Sequence, residues 1–383
     1  MKFIHTADWH LGKLVHGIHM TEDQKHMLQQ FIKVVAEEKP DAVIIAGDLY
    51  DRSVPPTAAV EVLHDVLYTI TTELNIPVLA ISGNHDSAER IHFGNQLFRK
   101  SNLYIEGKPI NTTTPVHING VNFYLMPYAE PGTIRYLLDD HTIFTHEDAM
   151  RRMVDKIEQS LNTNEANVMI GHAFVAGGMQ SDSERSLSVG GSEIVSADVF
   201  SPFNYTALGH LHSPNAITHP TVYYSGSLMK YSFSEAKQKK SVSIVEIDEK
   251  GTATVTYKSL TPKFDMRIIE GHLEELLDIN YYQSQQVEDY LKISLHDEGA
   301  LIDPIGKLRA VYPNVLHLER LVEQRDAKKN KLFQIEASNQ KGSLELFTDF
   351  YQEMTTNNFT DEKQEVLTKI IETVEGNKGV ACK

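Results

Sequence analysis

The regular alternation of apolar runs and helical patterns over the first 81 residues most constrains the fold. Apolar runs at 2–7, 42–46 and 76–81 predict strands, and 21–38 and 57–74 carry apolar residues at helical spacing. The first helix begins with Thr21-x-x-Gln24, a pattern typical of a capping box. Because a β-α-β-α-β order places helices over both faces of a parallel sheet, we expect an α/β fold.

The second half of this domain repeats the pattern less regularly. Asn119-Gly120 lies between two apolar runs and predicts a hairpin over 116–126. A helical pattern follows at 145–161, and three apolar runs predict further strands at 167–170, 205–208 and 222–224. We therefore expect one large domain with one or two smaller ones in the 383 residues.

Five of the predicted strands end in a glycine or small turn followed by Asp, Asn or His. These ends are Asp8-Trp9-His10, Gly47-Asp48-Leu49-Tyr50-Asp51, Gly83-Asn84-His85-Asp86, Gly171-His172 and Gly209-His210-Leu211-His212. The carboxyl ends of the strands share one edge of such a sheet, so these side chains are expected to meet there. Each motif alone is more often a turn or a cap. Together they favour a site for transition-metal ions, which take carboxylate and imidazole ligands.

Composition limits the classes of function. A net charge of −16 argues against a nucleic-acid binder with a globally basic surface, but metal ions at a site can still attract a polyanionic substrate. The single cysteine, Cys382, allows no internal disulfide. No apolar stretch suits a signal peptide or a membrane span, so we expect a cytoplasmic protein.

The ordered set of motifs resembles the calcineurin-like metallophosphoesterase superfamily. Two longer stretches, HAFVAGGMQSDSERSLSVGG at 172–191 and YSGSLMKYSFSE at 224–235, are similar to the SbcD family of DNA double-strand-break repair nuclease subunits. The resemblance covers nearly the whole chain. It implies an α/β fold with a metallophosphoesterase β-sandwich and flanking helices, a small α/β capping domain and C-terminal helices.

The resemblance also implies a ligand set for two divalent cations, with Mn²⁺ favoured. One ion is assigned to Asp8, His10, Asp48 and His212, and the other to Asp48, Asn84, His172 and His210. A water activated by both ions is expected to attack the phosphodiester. His85 is the expected proton donor to the leaving oxygen, oriented by the carboxylate of Asp51. We expect Asp86 to be a turn or cap residue and His5 to pack in the core.

Three basic side chains are candidates for contacts with DNA phosphates. They are Arg52 beside Asp51, Arg90 after the third motif, and Lys230 in the stretch at 224–235.

The predicted domains are a nuclease domain at 1–260, a DNA-guiding α/β capping domain at 261–322, a linker at 323–342 and a helical partner-binding segment at 343–376. The last segment has two amphipathic patterns, each typical of a helix. The two helices either pack on the chain's own core or dock a partner. The resemblance implies an SbcC-like ATPase with a coiled coil as that partner. The chain has no G-x-x-x-x-G-K-[ST] loop, so ATP hydrolysis is expected from the partner. The resemblance also implies a homodimer within a heterotetramer and a nucleoid-associated location.

The expected function is a Mn²⁺-dependent DNA nuclease with 3'-to-5' double-strand exonuclease and single-strand and hairpin endonuclease activity, in an ATP-dependent SbcCD-type complex for recombination and repair. Two alternatives stay open. One is a stand-alone metallophosphatase or cyclic-nucleotide phosphodiesterase, and the other is a non-catalytic scaffold of the same fold.

Overall fold

The computed structural model describes residues 1–111, 114–185, 193–321, 344, 347–348, 351 and 359–378, with only the backbone described for 372–378. The chain divides into two compact units, Met1–Arg267 and Ile268–Lys383. The predicted linker at 323–342 lies outside the described residues, as does most of the first C-terminal helical pattern. None of the described helices has the length and apolar character needed to cross a bilayer.

The first unit is built from two sheets and flanking helices. Its strands are β1 Lys2–Thr6, β2 Leu14–Val15, β3 Ile18–His19, β4 Ala42–Ala46, β5 Val78–Ile81, β6 Leu103–Glu106, β7 Val116–Ile118, β8 Val121–Leu125, β9 Ala166–His172, β10 Phe174–Val175, β11 Ile194–Val195, β12 Tyr205–Gly209, β13 Val222–Tyr224, β14 Ser241–Ile247 and β15 Ala253–Ser259. Its α-helices are α1 Thr21–Glu38, α2 Thr57–Tyr68, α3 Ala88–His92, α4 Asn95–Phe98, α5 Pro131–Leu138 and α6 His146–Glu158. A π-helical turn, Thr69–Glu73, continues α2.

The two sheets pack face to face as a sandwich. One has six strands in the order β15-β14-β1-β4-β5-β6, and the other has five in the order β13-β12-β9-β8-β7. Phe3 on β1 is fully buried and makes edge contacts with Phe123 on β8 and Tyr205 on β12, at ring-centroid distances of 5.6 and 5.5 Å. Apolar residues from both sheets form this common core, which confirms the predicted sandwich.

The strands that precede the five motifs are mutually parallel within each sheet. β1 pairs with β4 and β4 with β5 in the first sheet, and β9 pairs with β12 in the second, all in parallel. The Asn119-Gly120 hairpin between β7 and β8 is present, with both turn residues at positive φ. The predicted α/β organisation of the first unit is therefore confirmed.

Helix α1 has the predicted bounds but not the predicted cap. Met20 is the N-cap residue, and no side chain caps the helix. Gln24 turns inward instead, where its Nε2 donates to the carbonyl oxygens of Trp9 and His10, at 3.2 and 2.8 Å. The capping-box prediction was wrong because these buried carbonyls take the side chain that would have reached back to the helix start.

The second unit has a small core of its own. Its sheet has the order β16 Met266–Gly271, β17 Tyr290–Leu295 and β18 Val315–Arg320, and its short helices are α7 Leu273–Leu276, α8 Ile279–Tyr282 and α9 Pro304–Arg309. Tyr312 is fully buried in that core, and its hydroxyl donates to the carbonyl oxygen of Leu276 at 2.7 Å. A helix at Asp361–Lys378 covers the second predicted C-terminal helix.

Candidate metal centre

The loops after β1, β4, β5, β9 and β12 meet at one edge of the sandwich, and glycines permit their close approach. A Cβ added to Gly83 would lie 2.2 Å from Asp48 Oδ1, and one added to Gly47 would lie 2.4 Å from His172 Nδ1. Gly47 also has a φ of +90°, which side chains other than glycine rarely adopt. The glycines of these motifs therefore let two loops and the second sheet come together.

Four donor residues themselves have backbone conformations with positive φ. The φ angles are +55° at Asp8, +46° at His10, +51° at Asp48 and +105° at His210. Such conformations cost about 1–3 kcal/mol each and persist where the surrounding structure fixes them, often at functional sites. The strain turns these side chains away from the strand direction and into the shared edge.

The first group of donors is Asp8, His10 and His212. One ligand atom from each lies within 4.8 Å of the others, and all three residues are buried. The Nε2 atoms of His10 and His212 are 3.1 Å apart. Two imidazole nitrogens at this separation can both reach one ion with bonds of about 2.1 Å.

The second group contains Asn84, His172 and His210. Asn84 Oδ1 lies 2.9 Å from His172 Nε2 and 3.4 Å from His210 Nδ1. The Nδ1 atom of His172 is 3.0 Å from the carbonyl oxygen of Ala46 and donates to it, so Nε2 is the ring nitrogen that would bind an ion. The backbone N–H of His210 donates to Asp8 Oδ1 at 2.9 Å and so connects this group to the first.

Asp48 lies between the two groups. Its Oδ2 atom is 3.6 Å from His10 Nε2 and 3.4 Å from His172 Nε2. Its Oδ1 atom accepts the backbone N–H of His85 at 2.9 Å. The structure thus brings together all seven side chains that the resemblance implied as ligands, with Asp48 at the centre.

The electrostatics of these buried residues are strongly coupled. Burial raises the pKa of Asp8 to about 7, although His172 opposes the rise. Burial alone would lower the pKa of His172, but the negative charge of Asp48 outweighs that effect and raises it to about 9. Burial also favours protonation of Asp48, yet His172 and His10 hold the pKa of that carboxyl well below its usual range. A cation that binds His172 would have to displace its proton.

The donors fit divalent cations. His10 Nε2 and His212 Nε2 face each other at 3.1 Å, and Asp48 Oδ2 lies 3.6 Å from His10 Nε2. Converging lone-pair atoms in a buried site are better satisfied by a shared cation than by one another. Imidazole, carboxylate and amide oxygen ligands together suit ions such as Mn²⁺, Fe²⁺ or Zn²⁺.

His85 contacts Asp51 as predicted, but through the backbone carbonyl group of Asp51 and not through its carboxylate. His85 Nδ1 lies 2.8 Å from the backbone carbonyl oxygen of Asp51. The Asp51 carboxylate instead pairs with Lys13 Nζ at 2.7 Å, and it lies 3.8 Å from His10 Nδ1. The Lys13 ammonium group thus takes the carboxylate in a charge-assisted hydrogen bond.

Asp86 does more than form a turn or a cap, because its carboxylate links two loops. Its carboxylate accepts the backbone N–H groups of Leu49, Tyr50 and Gly83 at 3.0, 2.9 and 2.9 Å, and Ser87 is the cap of the next helix. Asp86 therefore fastens the loop after β4 to the loop after β5. The sequence held only a weak signal for this role, namely an acid directly after a predicted donor motif.

The candidates for DNA contacts have different surroundings. The structure does not support Lys230 as a DNA contact, because its ammonium group is already engaged within the chain. Its Nζ donates to the carbonyl oxygen of Ala236 at 2.7 Å and pairs with Asp265 at 2.9 Å. Arg52 and Arg90 are exposed. His5 is a core residue as predicted, fully buried with its Nδ1 3.0 Å from the Tyr205 hydroxyl.

The comparison with known protein families agrees with the fold. Residues 1–214, more than half of the chain, match the calcineurin-like phosphoesterase family. Residues 262–355 match a family described as the type 5 capsule protein repressor C-terminal domain. The fold and the site thus define a calcineurin-like phosphoesterase.

Full-length relatives give a narrower assignment. The chain is 33% identical to the SbcD subunit of the nuclease SbcCD from Staphylococcus epidermidis, over 99% of this chain and 100% of that protein. It is 36% identical to the same subunit from Staphylococcus saprophyticus subsp. saprophyticus, with the same coverage. The chain belongs to the SbcD family of nuclease subunits. A dimetal phosphatase from Danio rerio is a solved structure with 10% identity and a TM-score of 0.39, covering 68% of this chain and 98% of that one.

Proposed function

We propose that this chain is the metal-dependent nuclease subunit of an SbcCD-type complex that acts in DNA recombination and repair. The observation that supports this most is the meeting of six donor side chains around a seventh, Asp48, whose Oδ2 faces both His10 and His172. The names of the full-length relatives support a nuclease over other phosphoesterases.

Two divalent ions, with Mn²⁺ favoured, are the proposed cofactors. Asp8, His10 and His212 would hold one ion, Asn84, His172 and His210 the other, and Asp48 would bridge them. When bound, such a pair supplies a hydroxide at neutral pH and neutralises charge on the phosphate. Because imidazole ligands must be deprotonated to bind, metal binding would release a proton from His172, whose pKa Asp48 raises to about 9 against the effect of burial.

His85 is the proposed proton donor to the leaving sugar oxygen. Its backbone N–H is held by Asp48 Oδ1 and its Nδ1 by the Asp51 carbonyl, so the ring position is fixed at two points. The His85 ring lies edge-on to His10, 4.6 Å between centroids, without being one of the proposed ligands. With Nδ1 occupied, Nε2 is the atom left to transfer a proton.

We further propose 3'-to-5' exonuclease activity on double strands and endonuclease activity on single strands and hairpins. Arg52 and Arg90 are the remaining candidates for contacts with DNA phosphates, since both are exposed near the donor loops. The proposed DNA-guiding capping domain remains 261–322, and all of it from Ile268 onward belongs to the second unit.

An SbcC-like ATPase with a coiled coil is the proposed partner. Val366 and Ile370 lie four residues apart on the helix Asp361–Lys378, and their side chains are 59% and 54% exposed. Residues at this spacing share one helix face, and an exposed apolar face of this kind suits helix docking.

A homodimer through the nuclease domain is proposed as well. Large apolar side chains are exposed on or next to α2, α3 and α4. Val60, Tyr68, Phe93 and Phe98 line one pocket of this surface, and Leu97 on α4 is exposed as well. Monomeric proteins rarely leave such groups together on one surface, and a second copy of this chain would cover them.

Cleavage assays separate this proposal from its alternatives. With Mn²⁺ and labelled double-stranded or hairpin DNA, we expect cleavage by the wild type and none by Asp48→Ala, because the central carboxylate is lost. Asp155→Ala removes an exposed carboxylate on α6 and is expected to keep activity. Rapid turnover of a small phosphomonoester with intact DNA would favour the phosphatase. DNA and partner binding without hydrolysis in any metal would favour the scaffold.

A further inference from the structure

A network of polar side chains contacts the imidazole of His212 on the side away from the proposed metal centre. Its Nδ1 atom is 2.8 Å from Ser183 Oγ and 3.5 Å from Glu235 Oε1. Its backbone N–H donates to Glu184 Oε1 at 2.6 Å. Its other ring nitrogen, Nε2, faces His10 Nε2 in the proposed metal centre. The network therefore contacts the ring only at Nδ1, the nitrogen that points away from the proposed metal centre.

The carboxylate of Glu235 only accepts hydrogen bonds in this network. It is fully buried, and its Oε2 atom pairs with the equally buried Lys240 Nζ at 2.6 Å. Lys240 Nζ also donates to the carbonyl oxygen of His212 and to Ser227 Oγ, both at 2.8 Å. A carboxylate beside a buried ammonium group carries no proton, since neither charge is tolerated alone in the interior.

Counting hydrogens then fixes the tautomer of His212. The Ser183 hydroxyl has one hydrogen, and its close contact with Glu235 can only be a donated bond. Toward His212 the Ser183 oxygen must therefore accept, so the ring carries its hydrogen on Nδ1. The lone pair of the neutral ring is left on Nε2, directed at the centre.

The histidine of the other donor group is fixed by different means. His172 Nδ1 lies 3.0 Å from the backbone carbonyl oxygen of Ala46, which no side-chain substitution removes. Within the part of the chain that the structure describes, Ser183 and Glu235 reach only His212 among the proposed ligands. A change at Ser183 should therefore affect one ion and spare the other.

We propose that Ser183, oriented by the buried Glu235–Lys240 pair, is a positioning residue that sets the affinity of the ion held by Asp8, His10 and His212. This inference rests on the proposed two-ion function. It also gives a role to the stretch at 224–235, whose Glu235 anchors the network. Partners that hold a ligating histidine typically change metal affinity about 10- to 100-fold.

Metal titration of the full chain tests the inference. Metal-stripped wild type, titrated with Mn²⁺ by calorimetry, is expected to bind two ions. In Ser183→Ala we expect one of the two affinities to fall about 10- to 100-fold and the other to stay unchanged. Ser183→Thr keeps the hydroxyl and should restore the wild-type affinity. Ser232→Ala is the matched control, because Ser232 Oγ also donates to Glu235, at 3.1 Å, but does not reach His212.

Several results would overturn the inference. Unchanged affinities in Ser183→Ala, or an equal loss at both sites, would remove the proposed role of Ser183. A wild type that binds fewer than two ions would contradict the proposed function itself, which is distinguishable because it is seen before any variant is made. Histidine ¹⁵N chemical shifts of the metal-free wild type give a readout without substitution. We expect His212 protonated on Nδ1, and protonation on Nε2 would contradict the inference.

Discussion

At the scale of single residues, Asp51 contributes to the site through two different groups. Its carbonyl oxygen holds His85 Nδ1, and its carboxylate pairs with Lys13. Sequence reasoning placed Asp51 beside His85 correctly, but a sequence does not tell which atom of a residue makes a contact. Lys13 follows the first motif by three residues, and the pattern of donors gave no reason to consider it as a competitor for the carboxylate.

A pair of substitutions separates the two groups of Asp51. His85→Ala should lower the cleavage rate by about 10² to 10⁴, the usual contribution of a general acid, while both ions still bind. Asp51→Asn keeps the carbonyl oxygen and should retain most of the rate. Single-turnover cleavage of labelled DNA measures both, alongside metal content. Loss of metal in His85→Ala would contradict its assignment as a proton donor, and equal losses in both variants would return the orienting role to the carboxylate.

At the scale of elements, the apolar periodicity predicted the strands and long helices of the first unit well. The bounds of α1 agree with the prediction, and so do those of β4 and β13. The predicted helix 57–74 instead changes to a π-helical turn at Thr69–Glu73, which the periodicity did not indicate. Buried polar side chains were harder to predict, because Gln24 and Lys230 find their partners far along the chain.

The exposed apolar face on α2, α3 and α4 gives a prediction about assembly. Phe93 is 80% exposed, and replacing it with Glu should convert a dimer to a monomer because the charge would be buried in the interface. Tyr136→Glu is the control, since Tyr136 is 91% exposed on α5, outside this face. Sedimentation velocity measures the change. A Phe93→Glu variant that stays dimeric would show that the copies meet elsewhere.

The helix Asp361–Lys378 gives a prediction about the partner. Ile370→Asp places a charge on the exposed apolar face and should weaken binding to a coiled-coil fragment of the partner ATPase at least about tenfold, as expected for an interface anchor. Gln364→Asp changes the polar side of the same helix and should not. Fluorescence anisotropy measures both affinities. Equal behaviour of the two variants would argue that this face packs elsewhere.

At the scale of the whole molecule, the donor residues are scattered along the chain from Asp8 to His212 and meet only because parallel strands bring their ends to one edge. That rule let the sequence predict which residues converge. That rule did not predict the polar network around His212. Its members Ser183 and Glu235 lie in segments whose sequence has no periodic pattern. A site's ligands are thus easier to predict than the residues that orient them.

Anomalous scattering at the manganese edge, from crystals of the full chain grown with Mn²⁺, tests the two-ion centre most directly. We predict two peaks roughly 3.5 to 4 Å apart, with Asp48 between them and His212 and His172 on opposite sides. Both peaks should be absent in Asp48→Ala or after chelation. A single peak, or two peaks that do not share Asp48, would contradict the two-ion centre.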